Sequence, residues 1–162
     1  MSNICAGIGR GQMTVADEHI AHHKHVQALY EELLADVKGI TMHKAPTPEF
    51  DSNYWLCTAT LDPDLRIKGQ EMAYKKVITG AVGGAAGVTH TVDSATTDCQ
   101  PNDNIEALRM ALDAANIEAR PLWKPMHKQP VYKNAPAYVN GVSEELFKVG
   151  ICLPAGPWVT DD

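Results

Sequence analysis

The sequence predicts an α+β fold. A long N-terminal helical segment leads into a small two-layer domain, whose short, mainly antiparallel sheet is covered by helices. Three observations predict it. Apolar and aromatic positions recur by threes and fours through the first forty residues. Strand-length runs are few and short, at 53–61, 117–123 and 151–153. The order helix, strand, insertion, helix, strand, helix, strand offers too few strands for a doubly wound sheet.

Each element has its own local reason. Val15, His19, His22, Val26, Leu29, Leu33 and Val37 fall on one helix face, Tyr30 and Leu34 widen the stripe, and Gly39 ends it. Upstream, Ile4 and Ile8 among Cys5, Ala6, Gly7, Gly9 and Gly11 predict a shorter helix. An interior glycine costs a helix about 1 kcal/mol, so this segment requires a tertiary partner. A proline-containing loop over 42–52 follows. The aromatic, β-rich run 53–61 reads as a strand buried on both faces and ended by Asp62-Pro63-Asp64. Residues 66–101 read as an insertion, with a short helix at 69–78, a glycine-rich stretch at 80–87 and a strand at 88–92. Asn102 or Asp103 caps a helix carrying Ile105, Leu108, Leu112 and Ala115 on one face, with Asn116 as its left-handed stop. Residues 117–123 read as a strand broken by Pro121 and ended by Pro125. Ser143 caps a helix over 144–149 with Gly150 at its C′ position, and 151–153 is a short buried strand closed by Pro154.

Composition narrows the function classes. The chain of 162 residues is 44% apolar and 21% charged, and 14 Lys+Arg against 20 Asp+Glu give a net charge of −6. Without clustered Lys and Arg, a sequence-independent grip on nucleic acid is not expected. No apolar run reaches the length of a membrane span, and the first residues lack the charged-then-apolar pattern of a secretory leader. A cytoplasmic protein is expected, and its four cysteines, with no C-x-x-C pair, read as reduced, buried thiols.

His19, His22 and His23 have helical metal-pair spacing, but no cysteine or carboxylate at the right spacing completes a ligand set, so no metal is expected and a helix seam is the better reading. The glycines of 80–87 lack both G-K-[ST] and G-x-G-x-x-G, so they read as a turning insertion rather than a phosphate cradle. Cys99 sits in a polar segment that suggests exposure, with nothing beside it to create a thiolate. The segment 118–130 is richer, setting Arg120, Trp123, Lys124, His127 and Gln129 between prolines. A proline-stiffened loop is suited to presenting a guanidinium to phosphate or carboxylate and an indole to a flat ring. The same residues also fit a core Trp123 and a local ion pair for Arg120, and the sequence pattern alone leaves both readings open.

Four ordered motifs carry a resemblance. They are Ser2-Asn3-Ile4-Cys5-Ala6-Gly7-Ile8-Gly9-Arg10-Gly11-Gln12 before the long helix; Ser52-Asn53-Tyr54-Trp55; Ile117-Glu118-Ala119-Arg120-Pro121-Leu122-Trp123-Lys124-Pro125-Met126-His127-Lys128-Gln129-Pro130; and Leu146-Phe147 running to Cys152-Leu153-Pro154-Ala155-Gly156. Together they resemble the C-terminal part of the pyridoxal phosphate-dependent nucleotide-sugar aminotransferases, the DegT/DnrJ/EryC1/StrS family of the aspartate-aminotransferase fold. Only about 66–101 departs from the pattern, as a subfamily insertion would. The resemblance implies a helical linker over 1–40 and the small C-terminal domain over 41–162. It implies transfer of an amino group, usually from glutamate, to a keto-sugar nucleotide in cell-surface polysaccharide or related sugar biosynthesis, by a homodimer. It implies Arg120, Trp123, Lys124 and His127 as substrate-side residues. Family members are about twice this length or more. The Schiff-base lysine, the acid for the pyridine nitrogen and most phosphate contacts lie upstream in the family, and their motifs do not occur here. This chain is therefore expected to hold no catalytic or cofactor-binding residue and to be inactive in isolation. The alternative is a non-catalytic nucleotide-sugar-binding or interaction module.

Overall fold

The computed structural model describes residues 2–72 and 99–161. Helix α1 (Asn3–Met13) opens the chain, capped by Ser2, whose hydroxyl accepts from the Cys5 amide at 3.2 Å. Helix α2 (Ala16–Leu33) follows after a two-residue break, with Asp17 and Glu18 at its positive end. Strands β1 (Ile40–Met42) and β2 (Cys57–Leu61) come next, then α3 (Asp103–Ala114), β3 (Arg120–Pro121), α4 (Val142–Val149) and β4 (Gly150–Leu153). The sheet has the order β1-β2-β4-β3, and every neighbouring pair is antiparallel.

Register decides which residues make the core. Pairing sets Ile40 opposite Leu61, Met42 and Ile151 opposite Ala59, and Leu153 opposite Cys57. These residues share one face, because side chains alternate along a strand. Val26 of α2 and Ile105 of α3 pack against that face, with Tyr30, Leu34, Leu108 and Leu112 beside them. The opposite face carries Thr41, Thr58, Thr60 and Cys152, and is less completely covered, with α4 alongside it.

The α+β class and the small antiparallel sheet agree with the sequence reading. Several boundaries differ for identifiable reasons. Helix α2 stops at Leu33 rather than running to Gly39; Gly39 (φ +84°) instead precedes β1, which no expectation covered and whose last residue, Met42, was expected to open the loop 42–52. The buried stripe of α2 is rotated from the expected one. Val26 and Gln27 are buried, whereas Leu33 and Val37 are exposed. The strand expected over 53–61 begins only at Cys57, since 53–56 form a turn. The strand expected over 117–123 contracts to Arg120–Pro121, an edge strand in which proline is tolerated, and the Leu122 amide still donates to the Gly150 carbonyl at 3.2 Å. Asn102 caps α3, its side chain accepting from the Ile105 amide at 3.0 Å, and Asn116 takes φ +60°, both as expected. Gly141, not Ser143, precedes α4, and Gly150 is extended and starts β4. Gly150 has no room for a side chain. A Cβ there would lie 2.6 Å from the Leu146 carbonyl oxygen.

Cys57 and Cys152 are buried free thiols, as expected; Cys5 is exposed, against the expectation of burial, and Cys99 is buried although its polar segment suggested exposure. Of the expected insertion, a single 3-10 turn at Gln70–Met72 is described. The glycine-rich stretch 80–87 and the strand at 88–92 lie outside the described residues.

Candidate functional site

The segment after β3 leaves the sheet at Pro121 and runs as a proline-braced loop. It passes through 3-10 turns at Met126–Lys128 and Pro130–Tyr132. Its four expected site residues have different surroundings. Arg120 is exposed and pairs with Glu118, its Nε donating at 2.8 Å and its Nη2 at 2.5 Å. Of the two readings the sequence left open, the local ion pair is therefore realised for Arg120. For Trp123 the core reading does not hold, because the residue is 64% exposed. Lys124 is half-buried, and its carbonyl accepts from the Gln129 side-chain amide at 3.1 Å, which closes the loop on itself. His127 reaches across to α4. Its Nε2 lies 2.9 Å from a Glu144 oxygen, and Lys128 Nζ lies 3.3 Å from the other. The hydrogen bond from His127, followed by that from Lys128, holds the Glu144 carboxyl below its ordinary range.

One residue absent from the sequence-level list belongs to this surface. Trp55, 61% exposed, meets Trp123 with ring centroids 5.8 Å apart and an interplanar angle of 31°. Both indoles border a cleft of about 450 Å³, which Lys44, Phe50, Asp51 and Thr58 help to line. A second cleft of about 740 Å³ lies between β2 and α4, bordered by Thr60, Thr41 and Leu146. Thr58 and Thr60 alternate with the core positions of β2, so both clefts open from the non-core face of the sheet. Trp55 was missed because its neighbours suggested a strand. The Asp51-Ser52-Asn53 turn signal immediately before it could have found it.

The wall of the Trp cleft is fastened to α2. Lys24 pairs with Asp51 at 2.5 Å and Glu31 with Lys44 at 2.7 Å. Gln27, buried in α2, donates to Glu31 at 2.8 Å and to the His43 carbonyl at 3.2 Å. Partial burial raises the Glu31 carboxyl, but hydrogen bonds from Lys44 and Gln27 outweigh it and leave the group below its ordinary range. Tyr54 takes φ +45° in this wall. For a bulky residue that conformation costs on the order of 1–3 kcal/mol.

The histidines of α2 do not assemble a metal centre. Among the described residues no group of three or more His, Cys, Asp or Glu side chains is disposed to hold an ion. His22 lies 6.5 Å, centroid to centroid, from both His23 and His25, and His25 pairs with Asp161 at 2.7 Å. No helix among the described residues is long and apolar enough to cross a membrane.

A helical lead-in followed by a four-stranded antiparallel sheet with an aromatic rim defines a small α+β domain. Comparison with known proteins says which kind. The model of the DegT/DnrJ/EryC1/StrS aminotransferase family matches residues 1–76 and 71–162, and the chain belongs to that family. It is 32% identical over 169 residues to a protein of Bacillus subtilis (strain 168) named as the pyridoxal phosphate-dependent aminotransferase EpsN, which covers 100% of this chain and 33% of EpsN. It is 26% identical to the GDP-perosamine synthase of Vibrio cholerae, over 100% of this chain and 34% of that protein. The crystal structure of DesI, determined in the presence of its TDP-sugar product, superposes with a TM-score of 0.68 at 20% identity, over 100% of this chain and 32% of DesI. The chain thus spans about a third of the length of the relatives it matches.

The described residues do not fit a covalently held pyridoxal phosphate. A lysine that serves as a one-to-one Schiff-base anchor is activated by desolvation or by its electrostatic surroundings. No described lysine is buried. The one on the Trp cleft, Lys44, is exposed and ion-paired to Glu31.

Proposed function

We propose that this chain is the helical linker (1–40) and small C-terminal domain (41–162) of a pyridoxal phosphate-dependent aminotransferase. The whole enzyme transfers an amino group, from glutamate, to a keto-sugar nucleotide in cell-surface polysaccharide or related sugar biosynthesis. It works as a cytoplasmic homodimer. The role of this portion is to build one side of the substrate site. Arg120, Trp123, Lys124 and His127 are its substrate-side residues. The observation that carries the reading is the family match along both 1–76 and 71–162. The exposed Trp123 supports it, since an indole left in water at a cleft is suited to stacking on a ring. The isolated chain is inactive, because its described residues do not compose the cofactor's anchor. Purified chain supplied with pyridoxal phosphate, glutamate and a keto-sugar nucleotide is expected to yield no amino sugar. Product formation would overturn the assignment.

A second reading is favoured by the Trp55–Trp123 pair: a module that binds nucleotide-sugars on its own. Calorimetric titration with UDP- and GDP-sugars separates the two. Saturable heat that disappears in Trp123→Ala supports the module. No heat from either protein supports a site that is completed elsewhere in the enzyme.

A further inference from the structure

Among the described residues, two that are not glycine have positive φ: Asn116 and Tyr54. Asparagine tolerates the left-handed region, and at the end of α3 it needs no further explanation. A tyrosine there is a genuine outlier. Its conformation is held from several directions. Ser52 Oγ accepts from the Tyr54 amide at 3.1 Å, and Asn53 Oδ1 accepts from the Trp55 amide at 3.3 Å. The Tyr54 carbonyl lies 3.2 Å from His23 Nδ1 on α2, and the Tyr54 hydroxyl accepts from the Ala45 amide at 3.3 Å. Lys24–Asp51 and Lys44–Glu31 tie the same loop to α2 on either side.

The strain is not repaid by burying the residue that follows, because Trp55 stays mostly in water. What the turn does achieve is direction. It aims the Trp55 indole at Trp123, a residue 68 positions away on a separately braced loop. From this we infer that Tyr54 is a positioning residue whose left-handed turn seats Trp55 against Trp123, so that a two-indole platform exists before any ligand arrives. Such preorganisation lowers the ordering cost of binding a flat ring or the apolar face of a sugar. The ligand assignment rests on the proposed nucleotide-sugar reading; the positioning of Trp55 does not.

The test therefore uses the free chain without ligand. Two indoles in contact give a paired couplet in far-ultraviolet circular dichroism, which Trp55→Phe or Trp123→Phe must abolish. Tyr54→Val, whose β-branch rejects the left-handed region, is expected to lose the couplet, while Tyr54→Asn, which tolerates that region, retains it. Ser52→Ala combined with Asn53→Ala alters exposed or half-buried turn residues only, keeps the fold and is expected to lose the couplet too. That double variant carries the test if Tyr54→Val does not fold. A couplet missing from the unaltered chain, surviving in Tyr54→Val or in the double variant, or lost equally in Tyr54→Asn, would overturn the inference. If the couplet behaves as expected but the whole enzyme's affinity for nucleotide-sugar is unmoved by Trp55→Ala and Trp123→Ala, the ligand reading fails and the positioning role stands.

Discussion

Helices α1 and α2 are separated by two residues, yet they are held in place quite differently. Helix α2 lies on the sheet, with Val26 and Gln27 buried and the Tyr30 hydroxyl donating to the Pro154 carbonyl at 3.1 Å. Helix α1 buries no residue; Ile4 is 76% exposed, Ile8 62% and Met13 74%. No atom lies near enough to Gly7, Gly9 or Gly11 to meet an added Cβ. Capping does not explain the contrast, because α1 is capped by Ser2 whereas Val15 gives α2 no side-chain cap; the glycines of α1 do weaken it. The contrast teaches that local signals specify a helix, whereas a sheet face of matching register is what anchors it.

The contrast can be broken or sharpened by experiment. The largest difference is expected in thiol chemistry. Cys5 on exposed α1 is expected to react readily with a disulfide reagent in the native chain. Cys57, on the sheet under α2, is expected to react orders of magnitude more slowly, because it is inaccessible and burial pushes its thiol up to about 11. Equal rates measured by timed labelling and mass spectrometry would remove the distinction. Next, Ile105→Ala is expected to cost about 2–5 kcal/mol by denaturant unfolding, since Ile105 is fully buried between α3 and the sheet.

A smaller, pH-dependent effect is expected at the loop that carries Trp123. Hydrogen bonds from His127 and then Lys128 depress the Glu144 carboxyl in the folded chain. The stability it contributes is therefore present above the ordinary carboxylate range and is lost as pH falls through the depressed folded value. Glu144→Gln should be less stable than the unaltered chain near neutrality and indistinguishable from it in acid; a difference that persists unchanged in acid would refute the assignment. The smallest effect is expected for Ile4→Ala, within about 0.5 kcal/mol, because its side chain is already in water. A loss comparable to that of Ile105→Ala would mean that α1 is as anchored as α3.

How far the sequence disclosed this molecule depended on whether a residue's role was local. Asn102 as a cap, Asn116 as a left-handed stop and Cys152 within a short buried strand were legible because each follows from its neighbours. Strand β1 was not, since Ile40, Thr41 and Met42 make a strand only by pairing with residues 59–61. The burial of Gln27 was hidden for the same reason, because its partners Glu31 and the His43 carbonyl meet only when the loop returns to α2. At the candidate site the sequence singled out Trp123, and that residue lies at a cleft. It did not disclose Trp55, whose significance comes from being brought across the sheet, nor the engagement of His127 with Glu144, seventeen residues on.

Covalent labelling by the vitamin-derived aldehyde tests the central claim most directly. The purified chain would be incubated with pyridoxal phosphate, fixed with borohydride and mapped by peptide mass spectrometry. The account predicts low, scattered modification of exposed lysines that follows reagent concentration without saturating. Saturable, one-to-one modification of a single lysine would contradict it, because the chain would then own a cofactor anchor.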